Sequence, residues 1–162
     1  MADQFSHLNQ DGTPNMVNVG GKTPTHRMAK ARAIVELDDL ILEKLENNDI
    51  QSPKGSVFQI ATIAGIMAAK QTGNLIPLCH PIGMDSCDIH IYIGDQKEVI
   101  VDCEVQIFAK TGVEMEALTG ASVAALTIYD MCKAFSHNII IKEVKLMEKR
   151  GGKRDFKRNK DE

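Results

Sequence analysis

The sequence predicts an α+β domain: an antiparallel sheet with helices packed on one of its faces. Three observations carry this. Strand-like patterns of apolar residues run through residues 28–37, 88–93, 98–108 and 139–147. Two long apolar stretches, 57–70 and 112–133, are too long for strands and have the composition of buried helices. Residues 94–97 join two of the strands in a tight hairpin, whereas the other connections carry helices. At 162 residues and 43% hydrophobic, the chain is one domain by size and buries a core without disulfide or metal staples. It divides into an N-terminal arm (1–27), the domain proper (28–150) and a basic tail (151–162).

In the arm, Gly12, Pro14, Gly20, Gly21 and Pro24 interrupt any sustained period, so it reads as extended. Met16, Val17 and Val19 give it something to bury, while His26 and Arg27 bring anion contacts to its junction with the domain. Ala29, Ala31, Ala33, Val35 and Leu37 then alternate with bulkier neighbours as in a half-buried strand, although the alanines also suit a helix. Asp38 or Asp39 caps a short helix carrying Leu40, Ile41, Leu42 and Leu45, which stops in the turn-prone Asn47-Asn48-Asp49.

Pro53, Lys54 and Gly55 open the next helix, which ends near Lys70 and whose Ala61, Ala64, Gly65, Ala68 and Ala69 permit close approach by another element. Lys54 stands at its N-terminal edge, where free N–H groups and the helix dipole favour an anion; a phosphate contact and a solvated lysine both fit. In Leu75-Ile76-Pro77-Leu78-Cys79-His80-Pro81 two prolines stiffen the chain around Cys79 and His80. His80 is a candidate proton donor, acceptor or phosphate ligand. Cys79 has no sequence neighbour that would lower its pKa. After the hairpin and the 112–133 helix come a turn at 136–138, a last strand over 139–147, and a break at Gly151-Gly152. Strand, two helices, hairpin, helix, strand is close to the split βαβ order of ferredoxin-like domains, with one helix added. The sheet's second face and a helix apolar all round imply partner subunits.

Composition excludes several classes. Aromatics are 4% with no Trp, so stacking platforms for nucleic acid are missing. The net charge of −3 conceals a basic end: residues 142–162 carry nine Lys/Arg against five Asp/Glu, a candidate anion contact or a solvated terminus. Four cysteines, Cys79, Cys87, Cys103 and Cys132, lack C-x-x-C spacing, which argues against zinc and dithiol redox sites and for a reducing compartment. No segment has the pattern of a signal peptide or a membrane span, and the expectation is a cytoplasmic protein. Neither a Walker pattern nor a dinucleotide fingerprint is present.

The helix at 112–133 is the unusual element, because charges interrupt its apolar run. Glu114 and Glu116 open it, where the dipole alone favours carboxylates. Asp130 and Lys133 close it as an i, i+3 pair, with the acid opposing the dipole. Asp130 follows Glu116 by fourteen residues, about 21 Å along a continuous helix, so one small substrate cannot touch both within a chain. Antiparallel packing against a second copy would bring the glutamates of one chain to Asp130 and Lys133 of the other. Converging lysines, a histidine and carboxylates suit acid/base chemistry on a phosphorylated substrate.

The strings KGSVFQIATIAGIMAAKQT, LIPLCHPI and TGVEMEALTGASVAALTIYDMCKA, with the late GGK, resemble the molybdenum cofactor biosynthesis protein C family, the cyclic pyranopterin monophosphate synthases, from about residue 16 to 156. The resemblance implies a lyase that takes 3′,8-cyclised dihydro-GTP to a pyranopterin with a cyclic phosphate, releasing pyrophosphate. It places the family's catalytic aspartate and lysines on Asp130, Lys133 and Lys54. Its substrate contacts fall on Leu78, Cys79 and His80 and on Met115 and Glu116, with further pocket positions at Glu114, Arg27, Lys70, Lys149 and Lys153. It also implies a ferredoxin-like subunit in a homohexamer of three dimers with sites between subunits. No cofactor or metal site is implied, although Mg²⁺ carried by the triphosphate fits. Two departures stand out: Asn18 where the family often has Asp, and Arg154-Asp155-Phe156 directly after GGK, where Ser-Gly is usual. The competing reading is a non-catalytic nucleotide-binding or sensor module on the same fold. A sensor needs a pocket but not Asp130 beside Lys133, and this disfavours it.

Overall fold

A computed structural model of the chain describes residues 8, 9 and 11–159. In chain order the elements are β1 (Thr25–Glu36), α1 (Asp39–Leu42), β2 (Leu45–Glu46), β3 (Asp49–Ser52), β4 (Gly55–Ser56), α2 (Val57–Lys70), α3 (Thr72–Leu75), β5 (Ser86–Ile93), β6 (Val99–Ala109), α4 (Glu114–Cys132), β7 (Ile140–Arg150) and β8 (Phe156–Lys157). The main sheet has the order β5-β6-β1-β7-β8, and every pairing in it is antiparallel. Its first four strands with α2 and α4 form the ferredoxin-like arrangement, helices on one face.

β1 is the strand the alternation indicated, and it lies in the middle of the sheet. Ala29, Ala31, Ala33 and Val35 are fully buried beneath α4. Their small side chains let the helix lie close to the sheet. The two helices cross as tightly: a Cβ built on Gly65 of α2 would sit 2.8 Å from the Gly120 carbonyl oxygen and 3.1 Å from Ala124 Cβ. On the opposite face, Asp102 takes a bidentate contact from Arg32 (2.7 and 2.8 Å). Burial pushes that carboxyl's pKa up, but the hydrogen bonds and charge of Arg32, with Lys30 and Tyr92, together outweigh it and hold it below the usual range.

The segment after β1 differs from its sequence pattern. Leu45, expected on a short helix, belongs to β2, and α1 is a single turn capped by Asp38, which accepts from Ile41 N. Asn47 and Asn48 have φ of 51° and 62°, so the pair expected to stop a helix forms the two-residue turn of a hairpin. β2, β3 and β4 make a small second sheet that leads directly into α2. The last strand continues past residue 147 to Arg150. Gly151 then turns at φ 81°, with the Asp155 carboxylate accepting from its N–H at 3.0 Å. The chain folds back as β8, pairing Phe156 with Lys149. Lys160, Asp161 and Glu162 of the basic end lie outside the described residues.

α4 is buried on two sides, against the sheet and against α2, through Ala117, Gly120, Ala121, Ala124, Ala125 and Ile128. A third side is open in the single chain: Leu126 is 56% exposed, as are Ile63 (59%) and Met67 (61%) on α2. Among the described residues no helix is long and apolar enough to cross a membrane.

Candidate active site

At the C-terminal end of α4, three charged side chains meet. Asp130 Oδ1 is 2.6 Å from Lys133 Nζ, and Asp130 Oδ2 is 3.2 Å from Lys54 Nζ. The first contact is the i, i+3 pair that helix geometry alone explains. The second is not local: Lys54 arrives from the turn between β3 and β4. Pro53 constrains that turn, and Gly55 supplies a φ of 113°. Ser52 Oγ accepts from Lys54 N at 3.1 Å and donates to the Gly55 carbonyl at 2.9 Å. Hydrogen bonds from Lys133 and then Lys54 hold the Asp130 carboxyl below the usual carboxylate range, and Asp130 in turn raises Lys133 above the usual lysine value. All three side chains remain half exposed. A carboxylate between two ammonium groups, open to solvent, places proton donors and an acceptor within reach of one another.

The N-terminal end of α4 opens on a hollow of about 530 Å³, lined by Val17, Val19 and Lys22 of the arm, Leu78, Cys79, His80 and Ile82 of the proline-stiffened loop, residues 111–112, Glu114, Met115 and Glu116, and Lys153. Here the acids behave differently. Glu116 is only 4% exposed, and burial, with Glu114 adding to it, raises its pKa. Burial and then Glu116 raise the Cys79 thiol, so a thiolate nucleophile is disfavoured. His80 Nε2 lies 2.7 Å from the Val17 carbonyl oxygen. A carbonyl only accepts, so that nitrogen carries the proton and ties the arm across the hollow. A neighbouring hollow of about 730 Å³ gathers cations: Lys22, Arg27, Lys110, Lys149, Lys153 and Arg154. Lys149 Nζ contacts Glu114 at 3.1 Å, and Lys110 Nζ donates to the Gly20 carbonyl at 2.7 Å.

The sequence-derived candidates thus fall into two groups. Lys54, Asp130 and Lys133 come together at one end of α4. Leu78, Cys79, His80, Glu114, Met115, Glu116, Arg27, Lys149 and Lys153 gather at the other. Lys70 borders a smaller hollow of about 280 Å³ on the far side of Glu116. The continuous helix keeps the groups apart within one chain. Asn18, a departure from the family pattern, accepts from Gly20 N at 2.8 Å, a turn that an aspartate makes equally well. Lys22, Lys110 and Arg154 also line the cationic hollow, and no sequence motif marks them. Only the positions of Lys22 beside Gly20-Gly21 and of Lys110 just before the helix hint at them. All four cysteines are free, and among the described residues no cluster of His, Cys, Asp or Glu is grouped to hold a metal ion.

The sequence model of the MoaC family matches residues 16–152, which includes every sequence-derived candidate except Lys153. The chain belongs to the MoaC family. It is 47% identical over 153 residues to a cyclic pyranopterin monophosphate synthase of Xanthomonas oryzae, covering 94% of this chain and 93% of that protein. The synthase of Desulfitobacterium hafniense is 45% identical, over 93% of this chain and 91% of its own length. A Dictyostelium discoideum protein called molybdenum cofactor biosynthesis protein 1 is 49% identical over 93% of this chain, which spans only 27% of that longer relative. As a MoaC family member the chain is a molybdenum cofactor biosynthesis protein, and its ferredoxin-like domain carries the family's long α4 string intact.

Proposed function

We propose that this chain is a cyclic pyranopterin monophosphate synthase, a lyase converting 3′,8-cyclo-7,8-dihydro-GTP to cyclic pyranopterin monophosphate and pyrophosphate. The observation that carries this reading is the Asp130 carboxylate held between Lys133 and Lys54, the second drawn from a distant hairpin. Bacterial relatives of nearly the same length bear this name. The cationic hollow holds the triphosphate through Lys22, Arg27, Lys149 and Lys153, as a polyanion requires. The neighbouring hollow takes the base against Leu78, Met115 and Glu116. Asp130 and the two lysines move protons during opening and reclosure of the rings. When a ribose hydroxyl attacks the α-phosphorus, the bond to the β-phosphate oxygen breaks and pyrophosphate leaves toward the cations. No cofactor belongs to this reading, and Mg²⁺ is assigned to the substrate's triphosphate.

The two half-sites lie about 21 Å apart along α4, so the working site pairs the binding end of one chain with Lys54, Asp130 and Lys133 of a second. The open apolar side of α2 and α4 supports this. A homohexamer of three dimers, in the cytoplasm, accommodates it. Incubating the folded chain with the cyclised GTP substrate should release pyrophosphate and a pterin product together. Binding without either product would overturn the synthase in favour of a sensor. A monomer by mass in solution would overturn the shared site.

A further inference from the structure

Asp49 lies outside the residues that the proposed reaction uses, yet it is the most heavily bonded carboxylate near them. It is 9% exposed at the start of β3. Its Oδ1 accepts from Ile50 N at 2.6 Å and from Phe58 N, in the first turn of α2, at 2.8 Å. Its Oδ2 accepts from Ser56 Oγ, the N-cap of α2. One side chain therefore fastens the first strand of the β3–β4 hairpin to the helix that follows its second strand. Asp49 also faces α4: the buried thiol of Cys132 is pushed up to about 11, mainly by burial, with the Asp49 carboxylate adding to it. Cys132 lies between Asp130 and Lys133 in the sequence at the helix end.

The Lys54 contact is not what fixes Lys54. Its side chain is 62% exposed and that of Asp130 53%, and an ion pair between flexible exposed groups gains little over solvation. What restricts Lys54 is its backbone at the tip of a two-residue turn, and that turn is only as fixed as the hairpin beneath it.

We propose that Asp49 is a positioning residue: by pinning the β3–β4 hairpin to the start of α2, beside the end of α4, it sets Lys54 against Asp130. The assignment rests on the reading of Lys54, Asp130 and Lys133 as the proton-transfer group. Asp49→Ala removes all three acceptor contacts, whereas Asp49→Asn keeps an acceptor oxygen for Phe58 N and an amide able to donate to Ser56 Oγ. Two measurements separate positioning from plain stability. The first is the titration of Asp130 by ¹³C NMR, which needs no turnover and so stands even if the reaction assigned above is wrong. Asp130 is faced by Lys133 and Lys54, so releasing Lys54 moves its titration upward, toward the ordinary aspartate value. The second is steady-state turnover of the cyclised GTP.

The expected result is an upward Asp130 titration in Asp49→Ala and a kcat lowered about a hundredfold, the scale of a one-ångström misplacement, with KM nearly unchanged. Asp49→Asn should restore most of both. A folded Asp49→Ala protein whose Asp130 titrates as in the wild type overturns the proposal, whatever its melting temperature. If Asp49→Ala does not fold, Ser56→Ala removes the Oδ2 contact, with the cap bond to Gln59 N, and leaves both Oδ1 contacts in place. A smaller upward shift of Asp130 then supports the proposal, and no shift overturns it.

Discussion

The two ends of α4 carry acids of opposite character. Glu116, in the first turn, is shut away from water, so burial raises its pKa and favours its neutral form. Asp130, in the last turn, is open to solvent and held ionised by Lys133 and Lys54. At the N-terminal end Lys149 pairs with Glu114 rather than with Glu116, while at the C-terminal end Lys133 and Lys54 touch Asp130 directly. A buried carboxyl whose neutral form is favoured is suited to hydrogen-bonding an uncharged ring. A carboxylate between ammonium groups is suited to moving protons. In the proposed synthase one helix separates recognition from proton transfer, and a site built from both of its ends takes a second chain.

The sharpest way to break this contrast is at the exposed end. Lys133→Ala should lower turnover by roughly 10²–10⁴-fold, the usual worth of a positioned acid or base, while leaving substrate binding and assembly intact. Pyrophosphate release, equilibrium binding and solution mass check the three parts, and normal turnover would remove the proton-transfer role from this end. The next effect falls on the spacer itself. Gly65→Ala forces a methyl group against the Gly120 carbonyl of α4. Overpacking of that kind costs about 1–3 kcal/mol, and alanine's better helix propensity returns at most about 1 kcal/mol. A fall of a few degrees in Tm is expected by calorimetry, with both half-sites weakened together.

At the N-terminal end, His80→Ala releases the arm from the Val17 contact. The loss of one hydrogen bond should raise KM by up to about tenfold with kcat little changed, and the arm should be cut faster in limited proteolysis. A fall in kcat alone would instead move His80 into the proton chemistry. The smallest effect is on pH dependence at Glu116. Its raised pKa means that Glu116 favours the fold fully below the ordinary glutamate value of 4.5 and loses that contribution as pH rises through its folded value. Glu116→Gln stays neutral, so its Tm relative to wild type should rise with pH across that range. Parallel Tm curves would show that Glu116 is not held neutral by burial.

Much of this was written in local pattern. Strand patterns mark β1, β5, β6 and β7, and the length and charges of 112–133 separate two half-sites by helix rise alone. Local pattern failed between residues 40 and 56 because Asn47 and Asn48 serve a helix stop and a hairpin turn equally well. Only pairing of β2 with β3 distinguishes the two. It failed again for Glu114 and Glu116, which share one helix turn and one dipole. The side of the helix each faces decides that Glu114 meets Lys149 while Glu116 is buried.

The sequence by itself determined the order of the four long strands and two long helices, the family, and the length of α4 that holds its two ends apart, since periodicity and helix rise are properties of consecutive residues. The tertiary structure alone decided which groups meet across that order. Lys54 reaches Asp130 from 76 residues away, His80 reaches Val17, and Lys22, Lys110 and Arg154 join the cations. Asp49 looked like a turn residue until three donors closed on it. Such contacts depend on how the hairpin, the arm and the tail fold back on the sheet, and no spacing along the chain encodes them.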